Sequence, residues 1–423
     1  MIKLNTLVFH NLFRIAIFFL LLHSAPSLFS QVYGCTDPNA INFNPAATWN
    51  DGSCIYEPTS FTPQQYLELP ASLDETSGLI FWAGGIWTFN DSGGLPVIYK
   101  VDTISGEIIQ SITVLNAENT DWEDITQDED NIYVGDFGNN NGNRKDLKVY
   151  KLDKSSIPPI GNASVSAGVI SFSYGDQHDF TPSYNANEYD CEAITCVDNM
   201  LYLFTKNWVS QTTRLYELPT VSGTYSILPV DSFDVDGLIT GAGYSGDNNQ
   251  VIMSGYKNYK PFLFLLFDYY ENEFFSGNKR RIDMDGMLGA QTEGICFKNG
   301  YNALLSCEKS IIDQQVFKLN TAIWTDTTFC FLPELNEDLL IRVHPNPVRS
   351  DKLKIDIFQP GEEECFINIY NLLGRSMLAQ KHKINSKRKK TTISLSIPEI
   401  APGIYMLHVI AGNSYAIEKI IIE

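Results

Sequence analysis

Carboxylate side chains recur at one position of a repeated pattern in the middle of the chain. Glu75, Glu123, Glu192 and Glu293 lie at or just before a strand-like run, and a further copy of the pattern has Thr240 in that place. If these carboxylates meet at one end of a fold, they repel each other strongly even at an effective dielectric constant of about 20. They would then need a cation, a basic partner or raised pKa values.

A second set of polar residues ends the neighbouring strand-like runs. These candidates are Asn90, Asp91, Asp136, Lys206 and Glu308. Carboxylate and amide oxygens suit Ca²⁺, which takes several hard oxygen ligands, and the lysine could neutralise part of the charge. Together with the repeated glutamates they form the predicted ligand or metal site. The alternative is structural, because a repeated glutamate can also cap a turn or accept backbone N–H groups of an adjacent unit.

Other catalytic patterns are weaker in this sequence. His178 is the only histidine of the middle region, so a Ser-His-Asp triad has one candidate base and no visible partners. Ser245, in AGYSGD, does not have the spacing of a nucleophile elbow. The sequence contains no P-loop and no CxxC pair. No residue is singled out as catalytic.

The acidic positions belong to five copies of one strand pattern, which begin at Glu75, Trp122, Cys191, Thr240 and Thr292. Each copy holds an apolar strand between two turns and then a further strand: PVIYKVD, LKVYKLD, TRLYELP, PFLFLLFDY and QQVFKLN. Most copies add one more run, such as EIIQSITVL or GTYSILPVD. Four short antiparallel strands per copy indicate β-propeller blades, because stacked blades bury one another's faces.

The predicted fold class is therefore all-β, with a five- or six-bladed β-propeller over residues 60–335 and a small β-sandwich after it. YLELP (66–70) predicts a strand that closes the ring with the last blade. In architecture the middle region resembles calcium-dependent propellers of the lactonase and phosphotriesterase type, and TEGI (292–295) is similar to the opening of their blades. The resemblance implies one Ca²⁺ held in the channel by side chains of separate blades, with an ester or lactone bound to it.

The N-terminus has the pattern of a signal peptide over residues 1–30. Lys3 and Arg14 supply the positive charges that precede a short apolar run. This run suits the h-region of a signal peptide and is too short to span a bilayer. We expect cleavage after Ser30. Export places the cysteines in an oxidising compartment, where disulfides can form.

A turn-rich stretch follows, and residues 31–59 are predicted to be a Cys-bounded spacer. Cys35 and Cys54 are the expected disulfide pair, since both lie in one short stretch far from the other cysteines. Cys191 with Cys196, and Cys296 with Cys307, are further candidate pairs. The stretch resembles a short motif, GCTDP to DGSC, common in secreted proteins of the Bacteroidetes. Its oxygen-bearing side chains make Ca²⁺ binding an alternative to a stapled loop: Asp37, Asn39, Asn42, Asn44 and Asp51.

The last region, residues 341–423, alternates apolar and polar residues as an antiparallel sandwich does. Its runs HPNPV, INIYNLLGR, ISLSIP, PGIYMLHV and EKIIIE are similar, in order, to the C-terminal sorting domain of type IX secretion, type A. The resemblance implies export across the outer membrane by the type IX machinery, then removal of the tail with attachment to surface lipopolysaccharide or release. The basic run KHKINSKRKK (381–390) is then expected to be a solvated loop.

The net charge of −20 argues against nucleic acid and anionic membranes as partners. Two function classes remain for this secreted or cell-surface chain. One is a binding module for a glycan or protein; the other is a Ca²⁺-dependent hydrolase of the lactonase, phosphotriesterase or phytase-like kind. Aromatic residues could stack on sugars, although most should be blade core: Trp87, Trp122, Trp208 and Tyr133.

Overall fold

The structure, a computed structural model, describes residues 31–325, 339–349, 352–358, 364–371, 376–384, 390–397, 400–411 and 414–422. The expected signal peptide lies outside these residues. The described chain is almost entirely β-strand and turn, which confirms the all-β class. It divides into two compact units, residues 1–321 and 322–423, and each is described by itself.

The strands of the first unit are, in chain order, β1 (Tyr33–Gly34), β2 (Trp49–Asn50), β3 (Ser60–Phe61), β4 (Gln64–Glu68), β5 (Ile80–Trp82), β6 (Gly85–Thr88), β7 (Val97–Val101), β8 (Ile108–Val114), β9 (Trp122–Gln127), β10 (Asn131–Asp136), β11 (Lys148–Asp153), β12 (Ala163–Val165), β13 (Gly168–Tyr174), β14 (Cys191–Val197), β15 (Met200–Thr205), β16 (Thr212–Pro219), β17 (Gly223–Ile227), β18 (Pro229–Asp234), β19 (Leu238–Ser245), β20 (Gln250–Lys257), β21 (Lys260–Phe267), β22 (Asn278–Met284), β23 (Gln291–Asn299), β24 (Asn302–Glu308) and β25 (Gln315–Asn320). Two short 3₁₀ turns, Ala71–Leu73 and Lys154–Ser156, lie between them.

Most of these strands form five antiparallel sheets, one for each predicted copy of the pattern. Sheet 1 contains β5 to β8, sheet 2 contains β9, β10, β11 and β13, and sheet 3 contains β14, β15, β16 and β18. Sheet 4 contains β19 to β22. Sheet 5 contains β23 to β25 and takes β4 from the start of the unit as its fourth strand. The strand predicted in YLELP therefore does pair with the last sheet.

Short strands from other parts of the chain extend three sheets in parallel. β12 adds to sheet 1, β17 to sheet 2 and β3 to sheet 4. GTYSI was expected to be the fourth strand of its own copy, but it is β17 and pairs with the preceding sheet. β18 takes the expected place in sheet 3. A parallel partner from another copy has no local sequence signal, because the pairing is non-local.

The first strands of the sheets lie side by side in an order that returns to its start. β5 contacts β9, β9 contacts β14, β14 contacts β19, β19 contacts β23, and β23 contacts β5. Glycines allow the closest approaches between them. A Cβ on Gly294 would lie 2.6 Å from the backbone carbon of Gly78, and the Gly78 N–H donates to the Glu123 carbonyl at 3.1 Å.

Asp124, in β9, joins three of these first strands through one carboxylate. The side chain is completely buried, and it accepts N–H groups from Ile125 at 2.8 Å, from Ile194 in β14 at 2.9 Å and from Ala242 in β19 at 3.2 Å. Burial raises the pKa of Asp124, and the backbone donors oppose that rise. This carboxylate satisfies backbone groups of sheets 2, 3 and 4.

Apolar side chains fill the space between neighbouring sheets. Trp87, Trp122 and Tyr133 are fully buried, as predicted for blade-core aromatics. Trp122 makes an edge contact with Phe89 of sheet 1 at 5.4 Å between ring centroids, and so joins sheets 1 and 2. Because both faces of a sheet carry apolar residues, no sheet of this unit could be stable alone.

The Cys-bounded segment is attached to sheet 4 and is not a free spacer. The Cys35–Cys54 disulfide is present, as predicted. The Thr36 hydroxyl donates to the Asp268 carboxylate at 2.8 Å, and Asn50 donates to the Asp268 carbonyl at 3.0 Å. The guanidinium of Arg280 lies 4.8 Å from the Tyr56 ring.

The oxygen-bearing side chains of this segment take part in its turns. The Asp37 carboxylate accepts the Asn39 N–H at 2.9 Å and the Tyr56 hydroxyl at 2.7 Å. Asn42 and Asn44 accept backbone N–H groups at 2.8 and 3.0 Å. Asp51 accepts the Ser53 N–H in the same way. These contacts support the stapled loop.

The other disulfide candidates are not bonded to each other. The described free thiols are Cys191, Cys196, Cys296, Cys307 and Cys365, all of them buried. The predicted Cys191–Cys196 and Cys296–Cys307 pairs are therefore wrong. In β14, Cys191 and Cys196 lie too far along one extended strand to meet, because each residue adds about 3.3 Å.

The second unit begins with a short helix, α1 (Ala322–Thr325). Its strands are β26 (Leu340–His344), β27 (Lys352–Phe358), β28 (Glu364–Asn371), β29 (Ser376–Lys383), β30 (Lys390–Ser396), β31 (Gly403–Ala411) and β32 (Ser414–Ile422). They form two antiparallel sheets, β26-β27-β30 and β29-β28-β31-β32, around one apolar core. Tyr405, Leu407 and Val409 are buried while Ile404 is 43% exposed, which is the alternation expected of a sandwich strand.

The basic run of this unit is not a single loop. Lys381 and Lys383 lie in β29, and Lys390 begins β30, so the expected loop is wrong at both ends. Residues 385–389 lie outside the described residues. In the described part of the whole chain, no helix has the length and apolar character needed to cross a membrane.

Candidate functional site

A β-bulge occurs at the start of the first strand in each of sheets 1 to 5. In sheet 3 the pairing with β15 jumps between Cys191 and Ala193, which leaves Glu192 as the extra residue. Sheets 2, 4 and 5 show the same jump, and in sheet 1 it falls between the Thr76–Asn90 bridge and the start of β5. A bulge turns its side chain out of the regular alternation. The equivalent residues of the five sheets are Ser77, Glu123, Glu192, Thr240 and Glu293.

Glu75 was assigned to this position, and that register is wrong by two residues. Ser77 occupies the bulge of sheet 1, and its hydroxyl donates to the carbonyl of Glu123. Glu75 is exposed. Its negative charge still acts on Asp91 and Glu308, so it lies at the rim of the same group of acids.

Titratable side chains from sheets 1, 2, 3 and 5 interact with one another at the end where each first strand begins. We call this group the acidic cluster; its members are Asp91, Asp121, Glu123, Asp136, Asp190, Glu192, Lys206, Glu293 and Glu308. Most of the residues predicted from the sequence are therefore close together. Asn90 lies beside the cluster, where its amide nitrogen donates to the Ser72 carbonyl at 2.8 Å.

Three carboxylates of the cluster lie closest together. Asp91 follows β6, whereas Asp121 precedes β9 and Glu123 lies within it. One oxygen from each lies within 4.8 Å of the other two. Burial raises the pKa of Asp91 to about 6 and that of Asp121 to about 7, and burial followed by the Glu192 charge raises the pKa of Glu123. Three carboxylates at this distance repel unless protons or a cation separate them.

Sheet 3 contributes the cationic part of the cluster. The Lys206 ammonium lies 3.0 Å from the Glu192 carboxylate, 4.9 Å from the Trp208 ring and 5.5 Å from the Tyr256 ring. Burial disfavours the charged ammonium, but the neighbouring Glu192, Tyr256, Glu293 and Asp190 together outweigh burial, and the pKa of Lys206 is raised. The lysine therefore stays protonated, as the predicted partial neutralisation requires, and it is unsuited to act as a nucleophile.

Asp190 fixes the loops around this lysine. It is fully buried, and it accepts the Trp208 indole N–H at 2.7 Å and the Asn139 backbone N–H at 2.6 Å. The Lys206 backbone N–H donates to the Asp190 carbonyl at 2.7 Å. The Gly/Asn loop after β10 is thus joined to sheet 3 through one carboxylate.

Asp136 fixes the same loop from sheet 2. Its carboxylate lies 2.8 Å from the Arg144 guanidinium and accepts the Asp121 N–H at 3.2 Å. Arg144 also donates to the Gly138 carbonyl at 2.9 Å. Burial raises the pKa of Asp136 and Arg144 opposes the rise. This part of the loop therefore has a structural role.

Sheet 5 adds two carboxylates to the cluster. Glu293 lies at the bulge of β23, and Glu308 ends β24 and accepts a hydrogen bond from the Gln291 amide. Burial raises the pKa of Glu308 to about 7, and burial followed by the Glu308 charge keeps the pKa of Glu293 above its usual range despite Lys206. Glu308 can therefore carry a proton near neutral pH, and the raised pKa of Glu293 also favours its protonated form.

Sequence reasoning missed four residues of this site: Asp121, Asp124, Asp190 and Arg144. A signal for two of them was present, since DWE (121–123) and DCE (190–192) share an Asp two residues before the bulge glutamate. Asp124 and Arg144 had no such signal, because their partners are brought near by the fold.

The comparisons with known proteins concern the two units differently. Residues 342–423 match the family described as "Secretion system C-terminal sorting domain". This confirms the predicted type IX sorting domain and its interaction with the secretion machinery, and the protein is secreted or displayed on the cell surface. No curated protein matches the chain.

Solved structures similar to this chain share little sequence with it. An exo-β-1,3-galactanase from Phanerochaete chrysosporium is 11% identical with a TM-score of 0.39, over 89% of this chain and 98% of that one. A GH43_1 enzyme from Xanthomonas citri is 11% identical with a TM-score of 0.36, over 60% and 90%. A protein described as a 6-phosphogluconolactonase of Bacteroides uniformis is 8% identical with a TM-score of 0.31, over 82% and 92%. With TM-scores below 0.5, these likenesses carry no weight for fold or function.

Proposed function

We propose that the first unit is a closed five-bladed β-propeller that acts outside the cell as a ligand-binding module. The cyclic order of the first strands supports closure, as does the pairing of β4 with β25. Each of the five sheets corresponds to one copy of the sequence pattern, and the described residues of this unit contain no further four-stranded sheet. Attachment to lipopolysaccharide after removal of the tail remains part of this proposal.

The ligand we propose is a glycan bound at the acidic cluster. The observation that carries this is the β-bulge, which in three sheets places a glutamate at the same end of the unit. Convergent polar groups with shifted pKa values are the usual mark of a binding site. Carboxylates accept hydrogen bonds from sugar hydroxyls, and the half-buried Trp208 ring beside Lys206 offers an apolar face.

Glycan binding is tested with the purified full chain on an array of neutral and acidic oligosaccharides. Trp208→Ala and Glu192→Gln should each weaken binding at least tenfold, because each removes a contact group of the cluster. Glu129→Gln is the matched control, since Glu129 is exposed in the turn at the opposite end of sheet 2.

Equal losses in the control and the cluster variants would contradict the proposed location. If no glycan binds and a protein is captured through the same residues, the ligand is a protein and the glycan proposal fails.

A second candidate function is a hydrolase of the lactonase, phosphotriesterase or phytase-like kind. The observation that favours it is the pair Glu293 and Glu308, whose raised pKa values suit proton transfer near neutral pH. Turnover of a lactone, a phosphotriester or phytate by the full chain would be lost in Glu293→Gln if this candidate is right. If none of these substrates is turned over, the hydrolase candidate fails and the binding module remains the proposed function.

A further inference from the structure

The carboxylates of Asp91, Asp121 and Glu123 have the spacing of a Ca²⁺ site. Their oxygens lie within 4.8 Å of one another. Two oxygens bound to one Ca²⁺ at about 2.3–2.6 Å can be up to about 5 Å apart, whereas Mg²⁺, at about 2.0–2.1 Å, demands a tighter octahedral set. The separations are therefore close to those around one Ca²⁺, and small side-chain movements would let one ion contact all three side chains.

Glu123 supplies an independent indication that a partner belongs there. Its side chain is only 5% exposed, and among the described residues no group donates a hydrogen bond to its carboxylate. The other deeply buried acids of the cluster have donors: Arg144 for Asp136, Trp208 for Asp190 and Lys206 for Glu192. An unpaired buried carboxylate is costly, and a bound cation would remove that cost.

The backbone in front of these carboxylates leaves room only for glycine. A Cβ on Gly138 would lie 2.0 Å from Oε1 of Glu123 and 2.5 Å from Oδ2 of Asp121. Arg144 holds this part of the loop through the Gly138 carbonyl and the Asp136 carboxylate. A methyl group here would occupy the position of the oxygens, so it offers a perturbation that changes no charge.

We propose that Asp91, Asp121 and Glu123 bind one Ca²⁺ directly, with water completing its coordination. The site joins the loop after β6 to the start of β9, and so links sheets 1 and 2. It deepens the hydrolase candidate, since a metal can polarise a carbonyl or phosphoryl oxygen, but its occupancy depends on neither proposed function.

The test is calorimetric titration of the EDTA-treated full chain with Ca²⁺ alone, repeated with Mg²⁺. We expect one Ca²⁺ per chain with a raised thermal midpoint, and weaker Mg²⁺ binding. Glu123→Gln and Asp121→Asn should each lower Ca²⁺ affinity at least tenfold. Gly138→Ala should lower it similarly without changing the net charge.

Glu308→Gln, titrated above pH 8 where Glu308 is ionised, is the matched control, because it removes one charge of the acidic cluster outside the proposed ligands and should change the affinity less than threefold. An equal loss in Glu308→Gln and Glu123→Gln would mean diffuse attraction and would overturn the site. Unchanged Ca²⁺ affinity in Glu123→Gln would also overturn the site, because the ion would then bind elsewhere. A preference for Mg²⁺ over Ca²⁺ would overturn it as well. Circular dichroism of each variant shows whether a loss of affinity comes from misfolding or from the loss of a ligand. Gly138→Ala adds a variant whose net charge is unchanged.

The outcomes distinguish this site from the proposed functions. If Ca²⁺ binds as expected and neither glycan binding nor hydrolysis is found, the proposed function fails and the cation site stands. If glycans bind equally well in EDTA and Ca²⁺ does not bind, the cation site fails alone.

Discussion

Asp124 offers a sharp test of how the first strands of the sheets are held together. Its carboxylate accepts three backbone N–H groups, two of them from other sheets. Asp124→Ala removes all three hydrogen bonds and leaves Ile194 and Ala242 with buried, unpaired N–H groups. We expect this change to destabilise the first unit more than any other single substitution of a charged residue there.

The magnitude follows from the contacts. Each hydrogen bond to a charged group is worth roughly 1.5–3 kcal/mol, and each orphaned buried donor costs about 1–3 kcal/mol. Relief from burying the charge offsets several kcal/mol of that sum. A net loss of about 3–6 kcal/mol results, which for a unit of this size lowers the thermal midpoint by roughly 10 °C.

Asp124→Asn should lower the free energy of unfolding by less, about 1–3 kcal/mol. Its remaining oxygen still accepts hydrogen bonds, whereas its new NH₂ group lies opposite a backbone N–H and cannot accept from it.

Differential scanning calorimetry of the full chain measures these shifts. Asp102→Ala is the control, because Asp102 also accepts two backbone N–H groups, from Ile104 and Ser105, but in an exposed turn within sheet 1. It should leave the midpoint unchanged. If Asp124→Ala unfolds at the temperature of the unmodified protein, Asp124 does not join the sheets in the way described.

Two further predictions concern pH and the disulfide. Burial raises the pKa of Glu308 from its usual 4.5 to about 7, so the folded form binds the Glu308 proton more tightly than the unfolded form does. The proton therefore stabilises the folded form fully below about pH 4.5, and this stabilisation is lost as the pH rises through about 7. In cation-free buffer the thermal midpoint should therefore fall between pH 5 and 8, and less so in Glu308→Gln; parallel pH profiles would contradict this. The second prediction is that replacing Cys35 and Cys54 together by Ser loosens the segment on sheet 4 by about 3 kcal/mol, the value for a loop of this length. The rate of hydrogen exchange in residues 31–59 should rise, while the rate in β9 and β14 stays constant. Unaltered exchange in residues 31–59 would show that the contacts with Asp268 are enough to hold the segment on sheet 4.

Much of the fold could be predicted because each sheet repeats one local pattern. Runs such as LKVYKLD and QQVFKLN alternate apolar and polar residues, and turn residues bound them, so β11 and β25 follow from local chemistry. β12 and β17 could not be predicted in their places. Each pairs with a strand of another copy, and nothing within a short window specifies a distant partner.

The candidate site shows the same limit in its side chains. Glu123, Glu192 and Glu293 could be found because the bulge recurs with the sequence pattern. Glu75 was misplaced because sheet 1 reaches its first regular pair only at Ile80, and the bulge before it carries Ser77. Which carboxylates meet depends on the positions of whole sheets, which the sequence pattern alone does not specify.

Sheet 5 also has a consequence for how this unit folds. Its outer strand, Gln64–Glu68, comes from the start of the unit, and the strand it pairs with, Gln315–Asn320, comes from the end. That pairing is among the contacts of greatest sequence separation, and such contacts slow folding because a long loop must be closed first. Until the end of the unit has emerged, β4 lacks its partner strand and has an unpaired edge that another chain could occupy. A chain cut off before residue 315 would lack β25, and both β24 and β4 would be left without the strand that pairs with them. Truncation at the end of this unit should therefore favour aggregation over a smaller folded product.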